Sequence, residues 1–412
     1  GMAGSIGQLI IARSLQGIGA ALLVPGSLSI ISASFEEKAR GQAIGTWSGF
    51  TAITTAIGPV LGGWLVQHAS WRWAFFINLP LALGVIVISL RHIPESRGSV
   101  RSRLDWLGAS LATAGLGGLV NGFIESVSLG WSHPLVSGSL IIGVGSLIAF
   151  TFVEARAPAP MVPLELFKSN SFSGANLLTL FLYAAIGIFF FLLPLNLIQI
   201  QGYSSTAAGA AMLPLIILIF VLSRWSGGLV TRYGARLPLE IGPMIAASGF
   251  ALFAVPSIGG SYWIKFFPAM LVLGLGMAVT VAPLTTVVMS SAGQDRVGAA
   301  SGINNAVARV AGVLAIAVLG IVMFNAFSSQ LNQRIAKLSL PSKVVQQLKQ
   351  DETKLAGLPI PNGLDATTEM AIRRAVGESF VFGFRVVMLV CAGLGVASSL
   401  VALRMVAGSP AE

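Results

Sequence analysis

The chain has 412 residues, 55% hydrophobic and only 10% charged, with a mean hydropathy of +0.84. Soluble domains carry roughly 25% charge, so a water-soluble globular fold is excluded. The formal net charge of +10 does not mark a nucleic-acid binder, because the basic residues sit mainly in short segments between apolar runs, which is the footprint of membrane topology.

The apolar runs reach about 20 residues or more, the length of a membrane-spanning helix, whereas a barrel would show alternating segments of about ten. The sequence predicts an all-α integral membrane protein with about eleven spans. They fall at 8–34, 41–67, 74–92, 105–126, 136–154, 172–198, 207–230, 237–257, 263–289, 297–325 and 380–406. The 48 glycines suit close helix packing. The single cysteine, Cys391, lies in an apolar run and can form no internal disulfide. The chain starts at Gly1 without a charged leader or an initiating methionine, so it is expected to begin partway through a longer protein.

The first span carries Arg13, the only charged side chain between Gly1 and Phe35. An arginine at that depth costs from about 2.5 to above 10 kcal/mol, so it is expected to face a protein interior or a wet cavity and to be functional. Its setting is Arg13-Ser14-Leu15-Gln16-Gly17-Ile18-Gly19, where small residues admit a neighbouring helix. The second span holds Gly45 and, further on, Gly58-Pro59-Val60-Leu61-Gly62-Gly63, where proline bends the helix and glycines let a partner fit the bend. Trp71-Arg72-Trp73-Ala74-Phe75-Phe76-Ile77-Asn78-Leu79-Pro80 follows, its indoles suited to the membrane interface. After the seventh span, Gly227-Gly228-Leu229-Val230-Thr231-Arg232-Tyr233-Gly234-Ala235-Arg236 reads as a tight basic turn between helices.

Basic residues divide between the two sides of the membrane. Thirteen lie on one side, among them Lys38, Arg40, Arg97, Arg101, Arg103, Arg232 and Arg236; nine lie on the other, seven of those in one long loop at 326–379. The richer side is assigned to the cytoplasm, which puts the N-terminus outside and the C-terminus inside. The long loop, with Pro341, Pro359, Pro361, Asn362 and Gly363 and an amphipathic stretch near Leu331–Leu338, is expected to be an extracytoplasmic cap. A weak repeat pairs Pro25 and the Gly41–Gly45 GxxxG with Pro283 and the Gly298–Gly302 GxxxG, each preceded by a basic residue, Arg40 or Arg296. Repeated halves with a substrate site between them are the usual build of secondary transporters.

Together these elements resemble the major facilitator superfamily. The Arg13 segment looks like that family's fourth-helix signature, the Gly-Pro segment like its fifth-helix antiporter motif, and the basic turn like its second-to-third-helix loop signature repeated in the C-terminal half. The Trp-Arg-Trp segment is similar to the fourteen-span drug:proton antiporter subfamily, whose extra helix pair would be 105–126 and 136–154. The resemblance implies proton coupling or transport through Arg13, Gln16, Gly17 and Gly19. It implies an antiporter motif at Gly45, Gly58, Pro59, Gly62 and Gly63, and a gating loop at Gly227, Arg232, Gly234 and Arg236. Two departures are Thr54, where the family usually has glycine, and Thr231, where it usually has aspartate. If Arg13 marks a fourth helix, three helices are missing, and the chain is expected to be a fragment lacking roughly ninety residues. Residues 1–92 would then be the remainder of the N-terminal half-bundle, 93–170 the extra helices and a connector, and 171–412 the C-terminal half-bundle.

No central carboxylate stands out: Asp105, Glu125, Glu154 and Glu240 lie toward helix ends, as do His68, His92 and His133. The candidate cavity-lining polar groups are Asn176, Asn196, Gln199, Asn304, Asn305 and Arg309, with Asn305 and Arg309 on one helix face. HExxH, GxSxG and P-loop motifs are absent, which argues against an intramembrane enzyme and an ATP-driven pump. The expected function is proton-coupled export of hydrophobic or cationic compounds, with a narrow-specificity exporter of a metabolite or lipid as the runner-up. A channel or membrane sensor is the alternative from another class. No cofactor or metal is expected; the proton gradient would supply the energy. The expected partners are membrane lipid and small-molecule substrates, with a monomeric protein and an accessory export protein as the one protein partner left open.

Overall fold

Seam glycines, capped apolar helices and two very long hairpin arms organise the chain. A computed structural model describes residues 1–93, 105–157, 160–338, 340–361 and 364–407. Arg97, Arg101, Arg103, Asn362 and Gly363, together with the side chains of Pro25, Lys38 and Pro59, lie outside the described part. The described residues form helices and connecting turns, with no strand among them.

The helices are α1 (Ile6–Ser34), α2 (Glu37–His68), α3 (Trp73–Phe76), α4 (Asn78–His92), α5 (Trp106–Leu129) and α6 (Pro134–Glu154). They continue as α7 (Asn170–Leu195), α8 (Ser205–Ala210), α9 (Leu213–Gly227), α10 (Leu229–Tyr233), α11 (Arg236–Leu252) and α12 (Tyr262–Lys265). The last four are α13 (Phe267–Ser290), α14 (Gly293–Ile335), α15 (Ser342–Gln350) and α16 (Ala366–Met405). The eleven expected spans fall on these helices, several of them across two or more consecutive ones, and among the described residues eight helical stretches are long and apolar enough to cross a bilayer. Local chemistry sets several starts. Ser5, Asp105, Ser169, Ser204 and Asp365 each accept a backbone N–H of the first turn, which satisfies a donor with no partner inside the helix.

The core belongs to residues 170–406, where α7, α9, α11, α13, α14 and α16 pack together. Phe189 of α7 fills its centre, with ring centroids 5.8 Å from Phe250 and 4.8 Å from Phe253. The preceding helices attach to this bundle at two lines: α2 lies on α9 and α13, and α1 lies on α14. By contrast, α4 buries no residue. The α5–α6 hairpin leans on α14.

The connection expected at 326–379 is largely helical instead. Helix α14 runs on to Ile335 and α16 starts at Ala366, with 43 and 40 residues respectively. At 1.5 Å per residue each is roughly 60 Å long, about twice the hydrocarbon thickness. The extension is amphipathic: Met323, Phe327, Leu331 and Ile335 form a buried stripe at four-residue spacing, and polar residues lie between them. Such a stripe breaks the apolar run while preserving the helix. The stretch at Leu331–Leu338 is accordingly the end of α14 plus a 3₁₀ turn, and the separate amphipathic helix is α15, which buries Val344 and Leu348.

At the opposite end, Arg296 of α14 meets Glu165 of the 3₁₀ turn Leu164–Lys168 at 2.7 Å. The neighbouring guanidinium holds the exposed Glu165 carboxyl below the usual carboxylate range.

Candidate functional site

The α2–α9 seam brings the earlier helices and the C-terminal bundle into backbone contact. Gly41, Gly45 and Gly49 recur at four-residue spacing on one face of α2 and meet Ser223 and Gly227 of α9. A Cβ placed on Gly41 would lie 2.6 Å from the Gly227 carbonyl oxygen, and one on Gly45 would strike the Ser223 carbonyl oxygen. Glycine is required here because backbone touches backbone. Gly45 and Gly227, which the sequence placed in two separate motifs, therefore meet at one contact. Gly58, Gly62 and Gly63 differ: added Cβ atoms would meet nothing within 4 Å. Gly302, in the repeated GxxxG, is equally open, unlike Gly45 at the matching place in the first copy.

A polar cluster bridges α7 and α14. Asn304 Nδ2 donates to Asn176 Oδ1 at 3.2 Å and to Thr179 Oγ1 at 2.8 Å. Asn176 Nδ2 donates in turn to the Phe172 carbonyl and Thr179 Oγ1 to the Ala175 carbonyl. Asn176 and Thr179 are buried while Asn304 is half-buried. Both amide hydrogens of Asn304 are thus engaged and its carbonyl oxygen is the spare acceptor. Next along α14, Asn305 donates to the Ser301 carbonyl at 3.0 Å, and Arg309 is exposed with no ion pair among the described residues. Asn304→Ala should lower stability by about 1 kcal/mol, the scale of an interhelical hydrogen bond in a membrane. Thermal unfolding in detergent of the single and Asn176→Ala/Asn304→Ala double variants checks this, and strictly additive losses would show the two amides to be uncoupled.

The expected cavity does not gather all six polar residues. Asn176 lies in α7 and Asn196 just past its end, 20 residues further on and roughly 30 Å away at helical rise. Asn196 begins a π-helical segment, Asn196–Ile200, just after Pro194, whose missing N–H loosens the ladder. It is buried and accepts from Gln201 Nε2 at 3.2 Å, while Gln201 Oε1 accepts from the Gly259 amide at 2.8 Å. Asn196 therefore fastens a loop rather than joining Asn304. Gln199 is exposed and lines a separate cavity at that end of the bundle.

Arg13 lies on α1, where residues 10–20 are all exposed. Its Nη1 donates to Gln16 Oε1 at 2.6 Å and its guanidinium lies 5.9 Å from the Phe75 ring centroid. No carboxylate pairs with it among the described residues. Gly17 and Gly19, beside it on α1, meet nothing within 4 Å.

The basic turn is built as α10 between Gly228 and Gly234. Gly234 has φ +75°, a left-handed conformation that favours glycine. Thr231 Oγ1 donates to the Gly228 carbonyl at 2.8 Å, and the Arg232 guanidinium lies 5.2 Å from the Tyr233 ring centroid. Thr231 thus closes its own turn, and among the described residues no carboxylate pairs with Arg232 or Arg236. Arg236 opens α11. Sequence reasoning missed Thr179, Ser223 and Gly49; the regular Gly41-Gly45-Gly49 spacing was the available signal for the seam.

The sequence profile of the Major Facilitator Superfamily matches residues 1–316. The Tetracenomycin C resistance and export protein of Streptomyces glaucescens is 30% identical over 421 residues, covering 100% of this chain and 77% of that protein. The Multidrug resistance protein Stp of Mycobacterium tuberculosis is 30% identical over 407 residues, 95% of this chain and 73% of its own length. The Methylenomycin A resistance protein of Bacillus subtilis is 31% identical over 320 residues, 77% of this chain and 68% of its own. With its apolar helical bundle, the chain is a multi-pass membrane transporter, and it belongs to the major facilitator superfamily.

Proposed function

We propose that this transporter is an exporter of hydrophobic or cationic drugs, driven by proton antiport and working by alternating access. The α2–α9 seam carries the reading. Gly41, Gly45 and Gly49 bring α2 against the backbone of α9, with the Phe50 and Phe220 rings edge to face at 5.7 Å beside them, and this close glycine-lined face is where one bundle would rock on the other. The relatives named for resistance and export support the choice of cargo. In this reading residues 1–92 belong to one half-bundle, 171–412 form the other, and 93–170 hold the extra helices of the fourteen-span subfamily. The spare Asn304 carbonyl and the neighbouring Asn305 and Arg309 would face cargo, with Gln16 holding Arg13 in place. The protein works as a monomer in the cytoplasmic membrane, its basic turn inside and the α14–α16 extension outside, and it needs no cofactor besides the proton gradient.

Efflux of several chemically unrelated cations from cells producing the full-length protein tests the cargo class. Saturable efflux of most of them is expected. Activity on one compound alone would favour a narrow metabolite or lipid exporter.

A further inference from the structure

A cavity of about 910 Å³ opens among the extended ends of α14 and α16, the π segment after α7 and the 3₁₀ segment Glu352–Gly357. Among the described residues its wall carries four arginines, Arg334, Arg373, Arg374 and Arg385, and a single carboxylate, Glu378. Glu378 is already engaged twice, by Arg334 and by Arg374 Nε at 2.8 Å. Arg373 pairs with Glu369 at 2.6 Å. Arg385 donates only to the uncharged carbonyls of Val255 and Pro256, at 3.2 and 3.1 Å.

Two features distinguish this wall from a surface charge network. The cavity keeps an excess of positive charge after Glu378 and Glu369 are engaged, and among the described residues the buried Nε–H groups of Arg334 and Arg385 have no hydrogen-bond partner. Both guanidiniums therefore keep unused donor capacity and uncompensated charge at the cavity, a setting that an anionic acceptor entering it would stabilise. Arg374, Glu378, Val381 and Arg385 also share one face of α16 and extend over roughly 16 Å, far longer than a bare phosphate. Apolar residues Ile200, Ile258, Leu358 and Phe382 line the rest of the wall together with Gln199 and Ser257.

We propose that this cavity binds an anionic amphiphile through its phosphate group. Arg334 and Arg385 hold the phosphate, for which the planar guanidinium fork is well shaped. The apolar part of the ligand lies against Ile200, Ile258 and Phe382. The phosphate chemistry is common to a lipid headgroup and to a free phosphate; the apolar walls favour the lipid. The assignment is independent of the cargo that the transporter exports, and lipid retention is read without any transport.

The test purifies the full-length protein in mild detergent, adds phosphatidylglycerol or phosphatidylcholine, and measures retained lipid by native mass spectrometry. Inorganic phosphate serves as the soluble probe. Phosphatidylglycerol should be retained about tenfold over phosphatidylcholine, and Arg334→Gln and Arg385→Gln should each remove most of that preference, as expected for a lost charged contact. Arg156→Gln, an exposed arginine at the end of α6, should leave retention unchanged. Should the variants at Arg334 and Arg385 fail to fold, Arg373→Gln, whose side chain is 66% exposed, gives a second reading with a smaller loss in the same direction. Equal retention of both lipids, or a preference that survives all the arginine substitutions at the cavity, overturns the proposal. Arginine-dependent binding of inorganic phosphate with no lipid preference overturns the amphiphile.

Discussion

Gly227→Val should abolish export while leaving membrane insertion intact. A Cβ at Gly227 would strike the Gly41 carbonyl oxygen and lie 3.0 Å from the Gly41 carbonyl carbon and 3.3 Å from Gly45 Cα. All three obstacles are backbone, so no side chain can swing aside. Helix α2 would have to move off α9, and overpacking of this kind costs about 1–3 kcal/mol. The resting contact and any motion along it are both disturbed, and a loss of at least tenfold in efflux is expected, since about 1.4 kcal/mol is a factor of ten. Gly145→Ala on α6, where nothing lies within 4 Å, is the matching control and should behave like the parent protein. Efflux rate and detergent melting temperature, measured on both variants, check the expectation. Full efflux by Gly227→Val would mean that the seam neither stays closed nor moves as described.

Arg13→Ala should remove proton coupling, again with insertion preserved. A guanidinium within an apolar helix is costly, and removing it favours the membrane-embedded state if anything. Its present partners, Gln16 at 2.6 Å and the Phe75 ring, are neutral. They orient the side chain and leave its charge unmatched. Such a charge stabilises a nearby carboxylate or hydroxide and so sets when a proton leaves. Substrate-driven proton release should fall at least tenfold in Arg13→Ala, a threshold again equal to about 1.4 kcal/mol. Normal proton release by that variant would end the coupling role.

The spans were legible where apolarity is continuous. Helix α1 was expected at 8–34 and is Ile6–Ser34, because one uninterrupted apolar run coincides with the helix. Helices α14 and α16 were truncated because their outer turns keep helical periodicity while losing apolar continuity, as the Met323-Phe327-Leu331-Ile335 stripe shows. Arg385 was overlooked for a related reason: it lies inside a span counted as apolar, although its spacing from Arg374 and Glu378 places all three on one face. The pairing of Asn304 with Asn176 bridges 128 residues of sequence, and local pattern says nothing about which helices become neighbours. Gly227 looked like a turn glycine because it ends α9; its role in the seam appears only when α2 is laid beside it.

The proposed function of this superfamily member is the exchange of protons for drugs. Proteoliposomes containing the full-length protein and a pH-sensitive dye, with an imposed proton gradient, test it most directly. Adding any of several unrelated cations should produce saturable proton movement that follows substrate concentration and disappears in Arg13→Ala. Proton movement that ignores substrate, or substrate flux that neither saturates nor moves protons, would contradict it.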